Sequence, residues 1–340
     1  MKNFILVVSS IAITYIVFES VFVLVGSSPY QHGRVAEFQW IGQNPLRGWV
    51  NRSNFKHGDT FSTDARGLRN VELASNGSET IVCMGDSGTF GTWDDGTWPR
   101  FPDYPGELQK RLNPEQFKVV NAGVIGYTSS HLLRQYMLQI RKMHPSRIVI
   151  RVGFNDHSPA WDVRLAVREP TEFWKQLLLY KMSSTFTVQT AVTLRLAFKA
   201  PRAGLEPWND IDQFRFHLEA LITNARKDGV QVILLDYPIR PAGFPKRDDG
   251  KPFPEKIWGV KNHEELIRLH SQYNREIKLT SERMRVPLVQ TGHLLEDIGR
   301  AGFTSTDIVH PGPEGYRLIA EELSAFIKAN PLNVQSGSRP

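Results

Sequence analysis

Three side chains of the sequence have the types and spacing that nucleophilic catalysis requires. Ser87 follows an apolar run, while Asp307 and His310 lie three residues apart near the C-terminus, in a loop restrained by Pro311 and Pro313. A serine hydroxyl becomes a nucleophile when an imidazole accepts its proton, and a carboxylate beside the imidazole fixes its tautomer and orientation. These residues are therefore candidates for a Ser-His-Asp site. Simpler roles remain open, since Ser87 and Asp307 also suit helix caps and His310 suits packing.

The Ser87 turn joins a predicted strand to a predicted helix. Residues 81–84 form an apolar run typical of a buried strand, and Gly85 permits the tight turn that ends it. Asp86 and Ser87 are both good N-cap residues, so we expect a helix to begin here. A serine at this junction lies at the carboxyl end of a strand, where open α/β sheets bind ligands. The positive end of the helix would favour negative charge beside it.

Two further predicted strands are followed by residues that suit a reaction site. Gly126 comes after the second strand and Asn155 directly after the third. Because the carboxyl ends of parallel strands meet at one edge of a sheet, we expect these residues to converge on Ser87. The alternative is that Gly126 only allows a turn and Asn155 only caps a helix.

The periodicity beyond residue 80 alternates between strand and helix and predicts an α/β fold. Apolar runs predict strands at residues 81–84, 117–122, 147–152, 230–237 and 286–290. Helical spacing of apolar residues predicts helices at residues 131–142, 214–227, 264–284 and 314–328. Strands separated by helices favour a parallel sheet that is covered on both faces.

The remaining segments predict how the chain is divided. Apolar residues on either side of Gly58 predict a short hairpin over residues 55–61, and the segment that contains it is expected to pack on the main domain. Residues 158–207 are rich in apolar and basic side chains and predict either a helical cap over the site or helices that only pack on the sheet. The predicted parts are an anchor or uncleaved signal (1–26), an approach segment (27–78), the catalytic domain (79–330) and a disordered tail (331–340).

Composition and charge exclude several classes of function. The sequence is 41% apolar and 22% charged, as is typical of a globular protein, and its net charge of +6 is spread along the chain without a basic run. This distribution does not favour a nucleic-acid partner. Cys83 is the only cysteine, so an intramolecular disulfide and a zinc motif are excluded. No P-loop, dinucleotide fingerprint or metal-protease motif is present.

The N-terminal residues predict a membrane anchor. Residues 4–25 are predominantly apolar and long enough to cross a bilayer, which requires about 20 residues. With Lys2 as the only early charge, the positive-inside tendency leaves the N-terminus cytoplasmic and exports the rest to the periplasm or beyond. Glu19 is costly at membrane depth but lies near the far end. A cleaved signal peptide ending near Val25 and Gly26 is the alternative.

Four blocks of the sequence together resemble the signature blocks of the SGNH, or GDSL-type, hydrolases. They occur in the order of that family: Gly85–Ser87, Gly123–Thr128, Gly153–Asp156 and Asp307–His310. The segment Ser62–Arg69 is similar to one that precedes the first block in membrane-anchored bacterial members. The resemblance implies a flavodoxin-like three-layer α/β/α fold and ester or acyl chemistry without a metal or cofactor.

The resemblance also implies a role for each site residue. Ser87 would attack an acyl carbonyl, His310 would accept its proton, and Asp307 would orient His310. The oxyanion would be held by the backbone N–H groups of Ser87 and Gly126 and by the side-chain amide of Asn155. Some relatives of this family work with a Ser–His pair and a backbone carbonyl in place of the aspartate.

The function predicted from the sequence is therefore that of a serine esterase or acylhydrolase. Its substrate would be a small-molecule or glycan ester, and its other partner would be the membrane. Two alternatives remain at this point: an O-acetyltransferase that modifies an envelope polysaccharide with the same residues, and a catalytically inactive, membrane-tethered carbohydrate-binding module.

Overall fold

The fold was analysed in a computed structural model of the 340-residue chain. The structure describes residues 10, 13–15, 17, 41–44, 47–58, 61–69, 79–91, 103–157, 209–240, 260, 262–297, 302–303 and 308–332. Two compact units divide the chain, one formed by residues 1–50 and 160–205 and the other by residues 51–159 and 206–340. The predicted cap segment 158–207 and all but two residues of the predicted tail lie outside the described residues. The predicted domain boundaries stay predictions.

Short strands precede the central sheet. Strands β1 (Ile41–Asn44) and β2 (Gly48–Asn51) form a two-stranded sheet. Strand β3 (Lys56–His57) pairs antiparallel with β4 (Phe61–Ser62), with His57 opposite Phe61. This pairing confirms the predicted hairpin around Gly58.

A five-stranded sheet forms the centre of the fold, and all of its strand pairs are parallel. Its strands are β5 (Glu79–Gly85), β6 (Phe117–Asn121), β7 (Arg147–Arg151), β8 (Gln231–Leu235) and β9 (Leu288–Val289). The spatial order is β6-β5-β7-β8-β9, which corresponds to the order 2-1-3-4-5 of flavodoxin-like sheets. The predicted α/β fold with a mainly parallel sheet is thereby confirmed.

Helices of very different lengths connect these strands. They are α1 (Ser87–Phe90), α2 (Tyr104–Arg111), α3 (Ser129–Leu138), α4 (Phe154–His157), α5 (Ile211–Lys227), α6 (His263–Met284), α7 (Gly292–Asp297) and α8 (Pro313–Ala329). Helix α3 ends four residues before the predicted boundary, and a 3₁₀ turn at Ile140–Met143 follows it.

The hydrophobic core lies on both faces of the sheet. On one face α2 and α8 pack on each other, and Tyr104 and Ile319 are buried against side chains of β5 and β7 such as Cys83 and Val149. On the other face α5 packs on β8 and contacts α3 and α6, and Val82, Ile148 and Leu234 are buried. Because the middles of β5, β7 and β8 are buried on both faces, these strands have apolar runs rather than an alternation of apolar and polar residues.

No helix among the described residues is long and apolar enough to cross a bilayer. Most of residues 4–25, which carry the predicted anchor, lie outside the described part of the chain.

Candidate active site

The Ser87 turn begins where β5 ends. Asp86 is the N-cap of α1, and its side chain accepts a hydrogen bond from the Gly88 N–H at 2.9 Å. Ser87 is the first residue inside the helix, so the reading of Ser87 as the cap is wrong. Its hydroxyl is therefore not needed to satisfy the helix N-terminus, which Asp86 serves instead.

Ser87 and His310 are in direct contact although they are far apart in sequence. The Ser87 Oγ lies 2.8 Å from His310 Nε2, within hydrogen-bonding distance. Ser87 is 9% exposed and His310 is half-buried. In the tautomer that carries its proton on Nδ1, His310 accepts the hydrogen bond from the Ser87 hydroxyl.

The loop that carries His310 is fixed on both sides. Before it, Ile308 and Val309 are buried, and the Ile308 carbonyl accepts a hydrogen bond of 2.7 Å from the Arg240 N–H. Behind it, Pro311 pairs with Phe303, and α8 begins two residues later. Asp307 lies outside the described residues, so its proposed contact with His310 stays a prediction.

The loop after β6 brings Gly126 toward the same edge of the sheet. The Val124 N–H donates to the Gly85 carbonyl at 3.0 Å, which extends the pairing of β6 and β5 beyond the last strand residue. Gly126 has φ of +78°, a left-handed conformation that glycine adopts without strain. Within the described part of the chain, the N–H groups of Ser87 and Gly126 have no acceptor.

Asn155, the second residue of α4, contacts both of these regions. Its Nδ2 group donates to Asp86 Oδ2 and to the Tyr127 carbonyl, each at 3.0 Å. The structure thus brings together Ser87, His310, Asn155 and the loop of Gly126. These are four of the five residues that the sequence nominates.

Arg151 and Tyr237 complete the surroundings of the turn, and sequence reasoning did not select them. Tyr237 Oη donates to Asp86 Oδ1 at 3.0 Å, and the guanidinium of Arg151 lies 3.7 Å from the centre of the Tyr237 ring. Both side chains are fully buried. The two arginines of the predicted strand 147–152 were the available signal for Arg151, since a buried charge requires a partner.

The burial of these side chains shifts the pKa values of the ionisable groups at the turn. Burial raises the pKa of the Asp86 carboxyl, and the positive charge of Arg151 opposes this shift. For Arg151, burial disfavours the charge, but Tyr237 and Asp86 raise the pKa of the guanidinium overall. Burial likewise raises the pKa of the Cys83 thiol, as expected of an inert core cysteine.

A second buried polar cluster is centred on Asp156 and connects α4 with the segments at the start of α3 and just before α5. The Asp156 carboxylate accepts hydrogen bonds from the Ser129 N–H and hydroxyl and from the Asn209 amide. Burial raises its pKa to about 6. Elsewhere among the described residues, no group of three or more His, Cys, Asp or Glu side chains is arranged to hold a metal ion.

A parallel α/β sheet with a serine and a histidine in contact at its carboxyl edge is an arrangement found in serine hydrolases. Residues 83–318 match the profile of the GDSL-like Lipase/Acylhydrolase family, so the chain belongs to this family. It is a hydrolase that acts on ester bonds, as the sequence predicts. A search of curated protein sequences gives no match.

The solved structures that match this chain include two of low sequence identity. One is the lipase/acylhydrolase from Enterococcus faecalis, with 16% identity, a TM-score of 0.46, and coverage of 74% of this chain and 96% of that chain. The other is an acetylxylan esterase from Geobacillus stearothermophilus, with 18% identity, a TM-score of 0.44, and coverage of 74% and 94%.

Proposed function

We propose that the protein is a serine esterase that cleaves an O-acyl or O-acetyl ester, with Ser87 as its nucleophile and His310 as its general base. The observation that carries this proposal is the 2.8 Å contact between Ser87 Oγ and His310 Nε2. A base within hydrogen-bonding reach of a hydroxyl is the geometry that activates serine.

The proposed reaction has two steps, the acylation of Ser87 and its deacylation by water. Ser87 Oγ attacks the ester carbonyl while His310 Nε2 accepts the hydroxyl proton, and the tetrahedral intermediate collapses when His310 returns that proton to the leaving alcohol. Water then attacks the acyl-serine with His310 again acting as base, and the carboxylic acid is released as Ser87 regains its proton. Asp307 is proposed to orient the imidazole and to stabilise its protonated form.

The oxyanion of each intermediate is proposed to bind three N–H donors, the backbone groups of Ser87 and Gly126 and the side-chain amide of Asn155. Both backbone groups lack an acceptor within the described residues, which leaves them available. Removal of one such donor typically lowers kcat by about 10²- to 10³-fold.

The N-terminal segment is proposed to tether the catalytic domain to a membrane on its extracytoplasmic side. Support comes from the sequence alone, namely the length and apolar character of residues 4–25. Substrates in that location would include glycan esters of the cell envelope.

The proposal is tested by hydrolysis of p-nitrophenyl acetate and by labelling with a fluorophosphonate. Ser87→Ala is expected to abolish both, because alanine lacks the hydroxyl that contacts His310, and Ser130→Ala is the matched control that retains both. Asp307→Asn is expected to lower kcat by about 10⁴-fold if the carboxylate orients His310. Hydrolysis that persists in purified Ser87→Ala protein would overturn the assignment of the nucleophile.

A further inference from the structure

The amide of Asn155 has no unused donor in this structure. A side-chain amide carries two N–H groups, and those of Asn155 are directed at Asp86 Oδ2 and the Tyr127 carbonyl, each at 3.0 Å. To donate to an oxyanion, Asn155 must therefore release or share one of these two acceptors. Which acceptor it keeps decides how the amide is oriented during the reaction.

The two acceptors differ in strength. Asp86 carries a carboxylate, whereas the Tyr127 carbonyl is neutral, and hydrogen bonds to an ionised group are roughly twice as strong as neutral ones. Burial raises the pKa of Asp86, but the positive charge of Arg151 and the hydrogen bond from the Gly88 N–H oppose that shift and favour the ionised form. The bond to Tyr127 is thus the weaker of the two.

The two oxygens of Asp86 serve different partners. Oδ1 accepts from the Gly88 N–H, which caps α1, and from Tyr237 Oη. Oδ2 accepts from Asn155. Oδ1 therefore stabilises the turn, whereas Oδ2 contacts the candidate oxyanion donor. A substitution that keeps only the first of these contacts can test the two roles separately.

We propose that Asp86 is a positioning residue for Asn155. The amide keeps its bond to Asp86 Oδ2 as a fixed point and exchanges the Tyr127 carbonyl for the oxyanion as negative charge develops. This inference rests on the proposed function, since it requires Asn155 to be an oxyanion donor.

A double-mutant cycle between Asp86→Asn and Asn155→Ala tests the inference. Asparagine still caps α1, but its single acceptor oxygen is taken by the Gly88 N–H, so Asn155 loses its fixed point. In the otherwise unchanged enzyme, Asp86→Asn is expected to lower kcat for p-nitrophenyl acetate by about ten- to a hundredfold, with KM within about threefold. In the Asn155→Ala background, the same substitution is expected to lower kcat by no more than about threefold.

Tyr237→Phe is the matched control. It removes a hydrogen bond to Oδ1 and keeps the ring that covers Arg151, so the contact between Oδ2 and Asn155 is untouched. We expect a lower melting temperature and kcat within about threefold of the original value. If the unpaired charge of Arg151 prevents Asp86→Asn from folding, the cycle is run with Arg151→Met in every member.

The outcomes separate the inference from the proposed function. If Asn155→Ala leaves kcat unchanged, the proposed oxyanion role of Asn155 fails and the inference fails with it. If Asn155→Ala lowers kcat but Asp86→Asn has the same effect in both backgrounds, the inference alone is overturned. A loss of kcat in Tyr237→Phe equal to that in Asp86→Asn would also overturn it, because Asp86 would then act through general integrity of the turn.

Discussion

At the scale of single residues, the position of Ser87 depends on how closely the loop after β6 approaches α1. Gly123 lies against this helix, and a Cβ atom at Gly123 would be 2.3 Å from the Phe90 nitrogen. The Asn121 side chain joins the same two segments, since its amide donates to the Thr89 carbonyl at 2.9 Å and its Oδ1 accepts from the Gly123 N–H. Any side chain at Gly123 must therefore displace either α1, which carries Ser87, or the loop that carries Gly126.

We therefore predict that Gly123→Ala impairs both stability and catalysis. The added methyl group meets backbone that cannot move away cheaply, so the free energy of unfolding should fall by about 1–3 kcal/mol. The value of kcat should fall at least about tenfold, because misplacement of a nucleophile by an ångström can cost about 10²-fold. Chemical denaturation and ester hydrolysis measure the two effects.

Gly106→Ala is the matched control for this prediction. Gly106 lies in α2, and a Cβ atom there would have its nearest neighbour, Asp103 Oδ1, at 3.4 Å. Alanine is favoured over glycine inside a helix by about 1 kcal/mol, so this variant should be as stable as the original or more so. Equal loss of kcat in both variants would contradict the steric explanation.

Some features of the candidate site are predictable from the sequence, and others are not. Ser87, Gly126 and Asn155 follow strands, so their convergence is predictable from parallel pairing alone. The contacts of Asp86 with Asn155 and Tyr237 are not predictable in this way, because they depend on side-chain directions across 69 and 151 residues. Because its role as a helix cap already explains Asp86, the sequence gives no sign of these additional partners.

At the scale of elements, Asp156 joins three segments of the fold. It lies in α4, caps the first residue of α3 through Ser129, and binds Asn209 just before α5. Burial is the largest influence on its pKa and raises it to about 6 from an ordinary 3.8, although its hydrogen bonds oppose the shift. The folded protein therefore holds a proton on Asp156 at pH values where the unfolded chain has lost it.

This raised pKa predicts a contribution to stability that decreases with pH. Between about pH 4 and pH 6 the folded state binds more protons than the unfolded state, so the contribution of Asp156 falls as pH rises, by about 3 kcal/mol in total. The difference in unfolding free energy between the original protein and Asp156→Asn should shrink by about 2 kcal/mol from pH 4 to pH 7, because part of the total change occurs below pH 4. Urea denaturation across this range measures it.

Asp228→Asn provides a control of opposite sign. A hydrogen bond from Tyr136 is the main cause that lowers the pKa of Asp228, so its contribution to stability is present at neutral pH and is lost as pH falls. If the contributions of Asp156 and Asp228 to stability changed in the same direction with pH, the raised pKa of Asp156 would be contradicted.

There is also a physical reason why the sequence predicts some strands and helices and not others. The central strands and the long helices α5, α6 and α8 were predicted to within three residues at each end, because buried runs and helical spacing extend over many positions. Helix α2 was missed, since only Tyr104, Pro105 and Leu108 are buried among its eight residues. Its signals are local instead: Asp103 as N-cap, a proline in the first turn and basic residues in the last.

At the scale of the whole molecule, the family match and the N-terminal segment address different questions. Residues 83–318 define the hydrolase and contain the candidate site. The proposed location depends on residues 1–26, whose apolar composition predicts a bilayer span and which contain none of the candidate site residues. Catalysis and membrane attachment should therefore be separable by truncation.

We predict that the full chain stays with membranes after an alkaline carbonate wash, because a span of about 20 apolar residues inserts essentially irreversibly. A chain that begins at residue 27 should instead be recovered in the soluble fraction, with kcat toward p-nitrophenyl acetate within about twofold of the full chain, since the proposed nucleophile and base lie outside the deleted segment. Full-length Ser87→Ala is the control and should fractionate as the original chain does. Intact mass spectrometry distinguishes the alternative of a cleaved signal peptide: a mature protein that lacks the first 26 residues, or a full chain released by the carbonate wash, would contradict the tether.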